Sequence, residues 1–226
     1  MSKSLLLEYA RDIDFLMDRG GGTKVHRLRA CVEHALEQGR RSEELLPILE
    51  RLVRVAPEDS EHQLFARRRL AEMYLEHHPW RAALHARRLI KSGAVDDGAY
   101  ALMALAQTLL GNFNAAITAY RRALDMAPYN PWYHHNLGHL LDVCLGDRAT
   151  ALEHLRLAHR IESEEDEITA SLAHCLAMAG QLTEARSMAE RAAAHAPGNA
   201  DHRALLAWVV QGAPKDKRPR SSKPEM

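Results

Sequence analysis

Residues 97–130 read Asp-Gly-Ala-Tyr-Ala-Leu-Met-Ala-Leu-Ala-Gln-Thr-Leu-Leu-Gly-Asn-Phe-Asn-Ala-Ala-Ile-Thr-Ala-Tyr-Arg-Arg-Ala-Leu-Asp-Met-Ala-Pro-Tyr-Asn. Counted from Asp97, Tyr100, Met103, Ala104, Gly111, Ala116, Tyr120, Ala123 and Pro128 occupy positions 4, 7, 8, 15, 20, 24, 27 and 32. Apolar residues three and four apart predict two amphipathic helices. Small residues at 8, 20 and 27 let those helices approach closely, and large ones at 4, 7 and 24 fill the space between them. Gly111 stands where the first helix must stop, because a left-handed cap costs glycine nothing. Pro128 closes the second helix and biases Ala127 to an extended conformation.

The same template recurs along the chain. From Pro131 it places Leu137 and Gly138 at 7 and 8, and one inserted residue around Leu145-Gly146 brings Ala151, Leu155 and Ala158 to 20, 24 and 27. From Asp166 it places Leu172, Ala173, Leu176, Gly180, Ala185, Ala192 and Pro197 in their slots. A unit phased near Leu64 supplies Leu70, Ala71, Tyr74 and Ala83, with Arg87 a poor fit at 24. The unit from His26 is the weakest: Val32, Leu36, Leu49, Leu52 and Pro57 fit, while Glu33 and Leu45 replace small residues. A period near 34 residues sustained over several units is the signature of a helical-repeat array.

This spacing resembles the tetratricopeptide repeat family, whose pattern favours an aromatic, Leu, a small residue, Gly, Ala, an aromatic, Ala and Pro at those positions. Gln107, at position 11, departs from it. The resemblance implies an all-α fold, a right-handed α-solenoid of stacked antiparallel helix pairs. We expect an N-terminal amphipathic helix and Gly hinge over 1–22 and a degenerate hairpin over 23–59. Repeats follow over 60–96, 97–130, 131–165 and 166–199, then a capping helix over 200–212 and a disordered basic tail over 213–226. The first helix, residues 4–18, carries Leu5, Leu6, Tyr9, Ile13, Leu16 and Met17 ahead of Gly20-Gly21-Gly22. The capping helix shields the last apolar face of the array.

Composition sets outer bounds. Thirty basic and 30 acidic side chains in 226 residues give a net charge of +0, so no body-wide field draws the chain to nucleic acid or anionic lipid. The N-terminal apolar run is broken by Glu8, Arg11, Asp12 and Asp14, which fits neither a signal peptide nor a membrane span. Cys31, Cys144 and Cys175 are odd in number and far apart, which suits a reducing cytosol rather than a disulfide framework. A cytoplasmic protein is expected, with no membrane and no nucleic acid among its partners. In the tail, Lys215, Lys217, Arg218, Arg220 and Lys223 against Asp216 and Glu225 leave +3. Residues 162–167, five of them acidic, open a helix, where carboxylates favour the dipole.

By resemblance, side chains near positions 2, 5, 9, 12 and 13 of each repeat line a concave groove that holds a segment of another protein. These positions single out Arg68, Glu72, Leu105, Leu109, Trp132, His135, His139, Asp142, His174, Met178 and Trp208 as a partner-binding surface. Leu105, Leu109, Trp132, Met178 and Trp208 are its apolar anchors, with packing between repeats as the other role for Trp132 and Trp208. The carboxylate clamp known in the family is not reproduced: its frame falls on Arg68, Glu72, Leu102, Trp132 and Asn136, and Glu72 would repel a carboxylate.

Fourteen histidines raise a second possibility. His135, His139 and Asp142 share one helical face, and His174 sits at the equivalent position of the next repeat, a donor set for zinc or nickel. No His-Glu-x-x-His motif accompanies them, and solvated groove histidines that tune affinity between pH 6 and 7 are the expected alternative. No phosphate loop, nucleophile elbow or cofactor motif is present. The resulting expectation is a non-catalytic scaffold, adaptor or secretion-type chaperone without a cofactor. A metal or regulatory sensor built on the His cluster, and self-assembly to a homo-oligomer through helix 4–18, are the alternatives.

Overall fold

The computed structural model describes residues 24–39, 42–93 and 95–214, at 42 and 43 by the backbone alone. The helix read over 4–18, the Gly20–Gly22 hinge and residues 215–226 of the tail lie outside them. Among the described residues there are eleven α-helices, one π-helical turn and no strand. The helices are α1 Lys24–Glu37, α2 Ser42–Val55, α3 Glu61–Tyr74, α4 Pro79–Lys91, α5 Asp97–Leu109 and α6 Phe113–Met126. They continue as α7 Pro131–Leu140, a π turn Leu141–Leu145, α8 Arg148–Ile161, α9 Asp166–Met178, α10 Leu182–His195 and α11 Ala200–Val210. Side-chain caps set several starts: Ser60, Asp96, Asn130, Asp147 and Asn199 each accept a hydrogen bond from the first turn that follows. Gly111 ends its repeat's first helix at φ 76°, the left-handed cap expected there.

The chain divides into two compact units at Leu110/Gly111. In the first unit, α2 packs on α3, α3 on α4 and α4 on α5 around Leu28, Val32, Leu49, Leu52, Leu70 and Ala71. One detail corrects the sequence reading. On α4 the fully buried residues are Ala82 and Ala86, with Leu89 nearly so, whereas Ala83 is half-buried and Arg87 exposed. The connection from α3 to α4 is therefore one residue shorter than the template, and the poor fit of Arg87 was an error of phase.

In the second unit, small residues mark the helix contacts. Ala116, Ala123, Ala151, Ala158, Ala173, Ala185 and Ala192 are fully buried, and Tyr120, Leu155 and Leu172 fill the space between them. Gly138 allows the tightest approach: a Cβ there would stand 2.8 Å from Leu155 Cγ and 3.1 Å from the Ala151 carbonyl oxygen. The inserted residue near Leu145-Gly146 is taken up by the π turn, in which the Asp147 amide donates to Leu141 O at 3.0 Å and Gly146 caps at φ 69°.

Candidate functional site

The first helices of the repeats in the second unit, α7, α9 and α11, form a row joined by side chains. Asn130 caps α7 by accepting from the amides of Trp132 and Tyr133, and Asn199 caps α11 in the same way. His135 Nδ1 faces Asn136 Oδ1 at 3.2 Å and its Nε2 faces Ser171 Oγ at 2.9 Å. An amide oxygen only accepts, so Nδ1 carries the proton and Nε2 accepts from the Ser171 hydroxyl. That bond ties α7 to α9. Asp142, in the π turn, accepts from His174 Nδ1 at 2.9 Å, with Arg148 Nε 3.6 Å from its other oxygen. The His174 ring stacks on Trp208 at 5.6 Å, and Trp208 Nε1 donates to Pro214 O at 2.9 Å, which extends the row to α11.

Burial sorts the expected groove residues. Trp132 remains 39 % exposed, with its ring edge-on to His135 at 5.8 Å. His139 and Met178 are half-buried. Trp208, expected either as an anchor or in packing between repeats, is 4 % exposed and packs between α9 and Pro214. His135 and Asp142 are likewise buried rather than solvated. Burial, aided by neighbouring His139, pushes the His135 imidazole down to about 4, so it stays neutral at pH 6–7 and does not tune affinity there.

The histidine cluster does not assemble as a metal shell. His135 turns to Ser171 and His174 to Asp142, and among the described residues no three His, Cys, Asp or Glu side chains gather to hold an ion. The sequence reading missed Asn136, Ser171 and Arg148 as the partners of these groups. The first two stand at position 6 of successive repeats, a register signal that was available; the third depends on the π turn.

In the first unit, Arg68 donates to Asp96 Oδ2 at 2.5 Å, bracing the residue whose other oxygen caps α5, while Glu72 accepts from Arg69 at 2.8 Å. Leu105 and Leu109 are half-buried against that unit's own core. Both charged candidates are thus already engaged within the unit.

A tetratricopeptide repeat model matches residues 145–209, and a second TPR repeat model matches residues 104–141. This chain is a tetratricopeptide repeat protein. Solved structures share its fold at low identity. A thermophilic TPR protein from Thermus thermophilus is 24% identical, with a TM-score of 0.62 over 81% of this chain and 97% of that one. A tetratricopeptide repeat protein from Parabacteroides merdae is 14% identical, with a TM-score of 0.68 over 84% and 75%. YrrB, described as a TPR protein with an unusual peptide-binding site, is 19% identical, with a TM-score of 0.59 over 75% and 86%. No curated protein matches the chain. No helix among the described residues is long and apolar enough to cross a membrane.

Proposed function

We propose that this TPR protein is a non-catalytic interaction scaffold whose second unit holds a segment of another protein along the row α7–α9–α11. The observation that carries the reading is Trp132, a large apolar ring 39 % exposed beside a row of side chains locked by hydrogen bonds. A rigid aromatic anchor on a preorganised surface is the usual hot spot of an interface. The peptide-binding site named for YrrB, a protein of the same fold, supports a peptide as the form of the ligand. An adaptor or chaperone role in the cytoplasm is the finer form of the same proposal.

Affinity capture from the source cell with wild type beside Trp132→Ala, followed by calorimetry on the captured partner, tests it. Loss of the ring should weaken binding at least about tenfold, the effect of removing a hot-spot aromatic. Equal affinity in a folded Trp132→Ala protein would discard this surface.

A further inference from the structure

We propose that the basic segment 215–226 of this chain docks on the α7–α9–α11 row of its own second unit, running from Trp208 past Asp201 and Glu167 toward Trp132. This rests on the reading of that row as a docking surface and names its resident occupant.

Three observations converge on it. The first is where the chain leaves α11. Gly212 at φ 84° and Ala213 at φ 52° turn the backbone back, the Ala213 amide donates to Trp208 O at 2.9 Å, and Trp208 Nε1 donates to Pro214 O at 2.9 Å. A left-handed alanine is unfavourable on its own, so the reversal is held by these bonds. Pro214, the last described residue, therefore lies against the indole that stacks on His174, at one end of the row.

Charge is the second. Glu167 and Asp201 are exposed, each seven residues before His174 and Trp208, and seven residues return a helix to within about 20° of the same face. No Lys or Arg stands at the second, fifth or ninth position of α7, α9 or α11. The segment brings five cations against two anions, a net +3. The third is reach. Twelve residues extend to roughly 40 Å, whereas the seven residues back along α11 to Asp201 and two steps between neighbouring helices span only about 30 Å. Tethering sets an effective concentration in the millimolar range, so a contact too weak to form between separate molecules is populated within one chain.

The probe is a synthetic peptide of residues 215–226. It is titrated into the full chain and into a full chain carrying Lys215→Gln, Lys217→Gln, Arg218→Gln, Arg220→Gln and Lys223→Gln. Occupancy by the resident segment predicts that the peptide binds the neutralised chain in a salt-sensitive manner and binds wild type at least about tenfold more weakly. Adding Glu167→Gln and Asp201→Asn to the neutralised chain should remove the binding, with helix content by circular dichroism unchanged. Equal binding to both chains, or none to the neutralised one, overturns the proposal. So does sedimentation showing a wild-type dimer that the tail substitutions dissolve, because the segment would then be exchanged between copies. If Trp132→Ala weakens the captured partner while the tail substitutions change nothing, the docking surface stands and its resident occupant falls.

Discussion

Gly138 shows how much a single hydrogen atom decides in this fold. Replacing glycine by alanine within a helix ordinarily gains close to 1 kcal/mol in propensity. Here the new methyl would meet Leu155 Cγ at 2.8 Å and a backbone oxygen at 3.1 Å, so α7 and α8 must part. Gly138→Ala should therefore lower stability by about 1–3 kcal/mol in urea unfolding. A neutral or stabilising result would mean the two helices are not in van der Waals contact at that point. The position was legible because a repeat template requires a small residue there, and the fully buried alanines were legible for the same reason. Exposure was not. Trp132 and Trp208 occupy comparable groove positions in sequence, yet one is 39 % and the other 4 % exposed, because Trp208 is covered by a chain reversal that no periodicity encodes.

The elements depart from the template where the spacing slips by one residue, and each slip has its own physical outcome. A connection shortened by one residue simply rotates which face of α4 is buried, so Ala82 and Ala86 replace Ala83 and Arg87. A residue gained after α7 widens the helix into the π turn and leaves Asp142 buried between His174 and Arg148. Spacing alone could register the insertion, but not that it would aim a carboxylate at the next repeat. Removing that carboxylate leaves the largely buried Nδ1 of His174 without its acceptor, which costs about 1–3 kcal/mol. Asp142→Ala should cost about 1–3 kcal/mol in chemical denaturation. Paired with His174→Ala, it should show a coupling of at least about 0.5 kcal/mol in a double-mutant cycle. Strict additivity would mean that the Asp142–His174 contact does not join the π turn to α9.

Across the whole molecule, histidines held down by full or partial burial are unevenly shared, and this sets a pH dependence. In the second unit, burial lowers His135 to about 4 and also lowers His154 and His159, reinforced by His139, His134 and Arg191 respectively. In the first unit His85, half-buried near Arg67, is held down in the same way, to about 4. A histidine whose folded value lies below its unfolded one takes up its proton first in the unfolded chain, so stability rises with pH. The contribution is complete above the ordinary histidine range near 6.5 and is lost as pH falls from there toward 4. For His135 alone, going from pH 7 to pH 5 removes about 2 kcal/mol. Three such groups against one predict that amides of α7–α9 lose more protection than those of α2–α4 when hydrogen exchange at pH 7 and pH 5 is compared after correction for intrinsic rates. His135→Gln, which keeps an acceptor toward Ser171 without a titrating group, should shrink that difference. Equal loss in the two units, or greater protection of α7–α9 at pH 5, would show that these imidazoles are not held neutral between their helices.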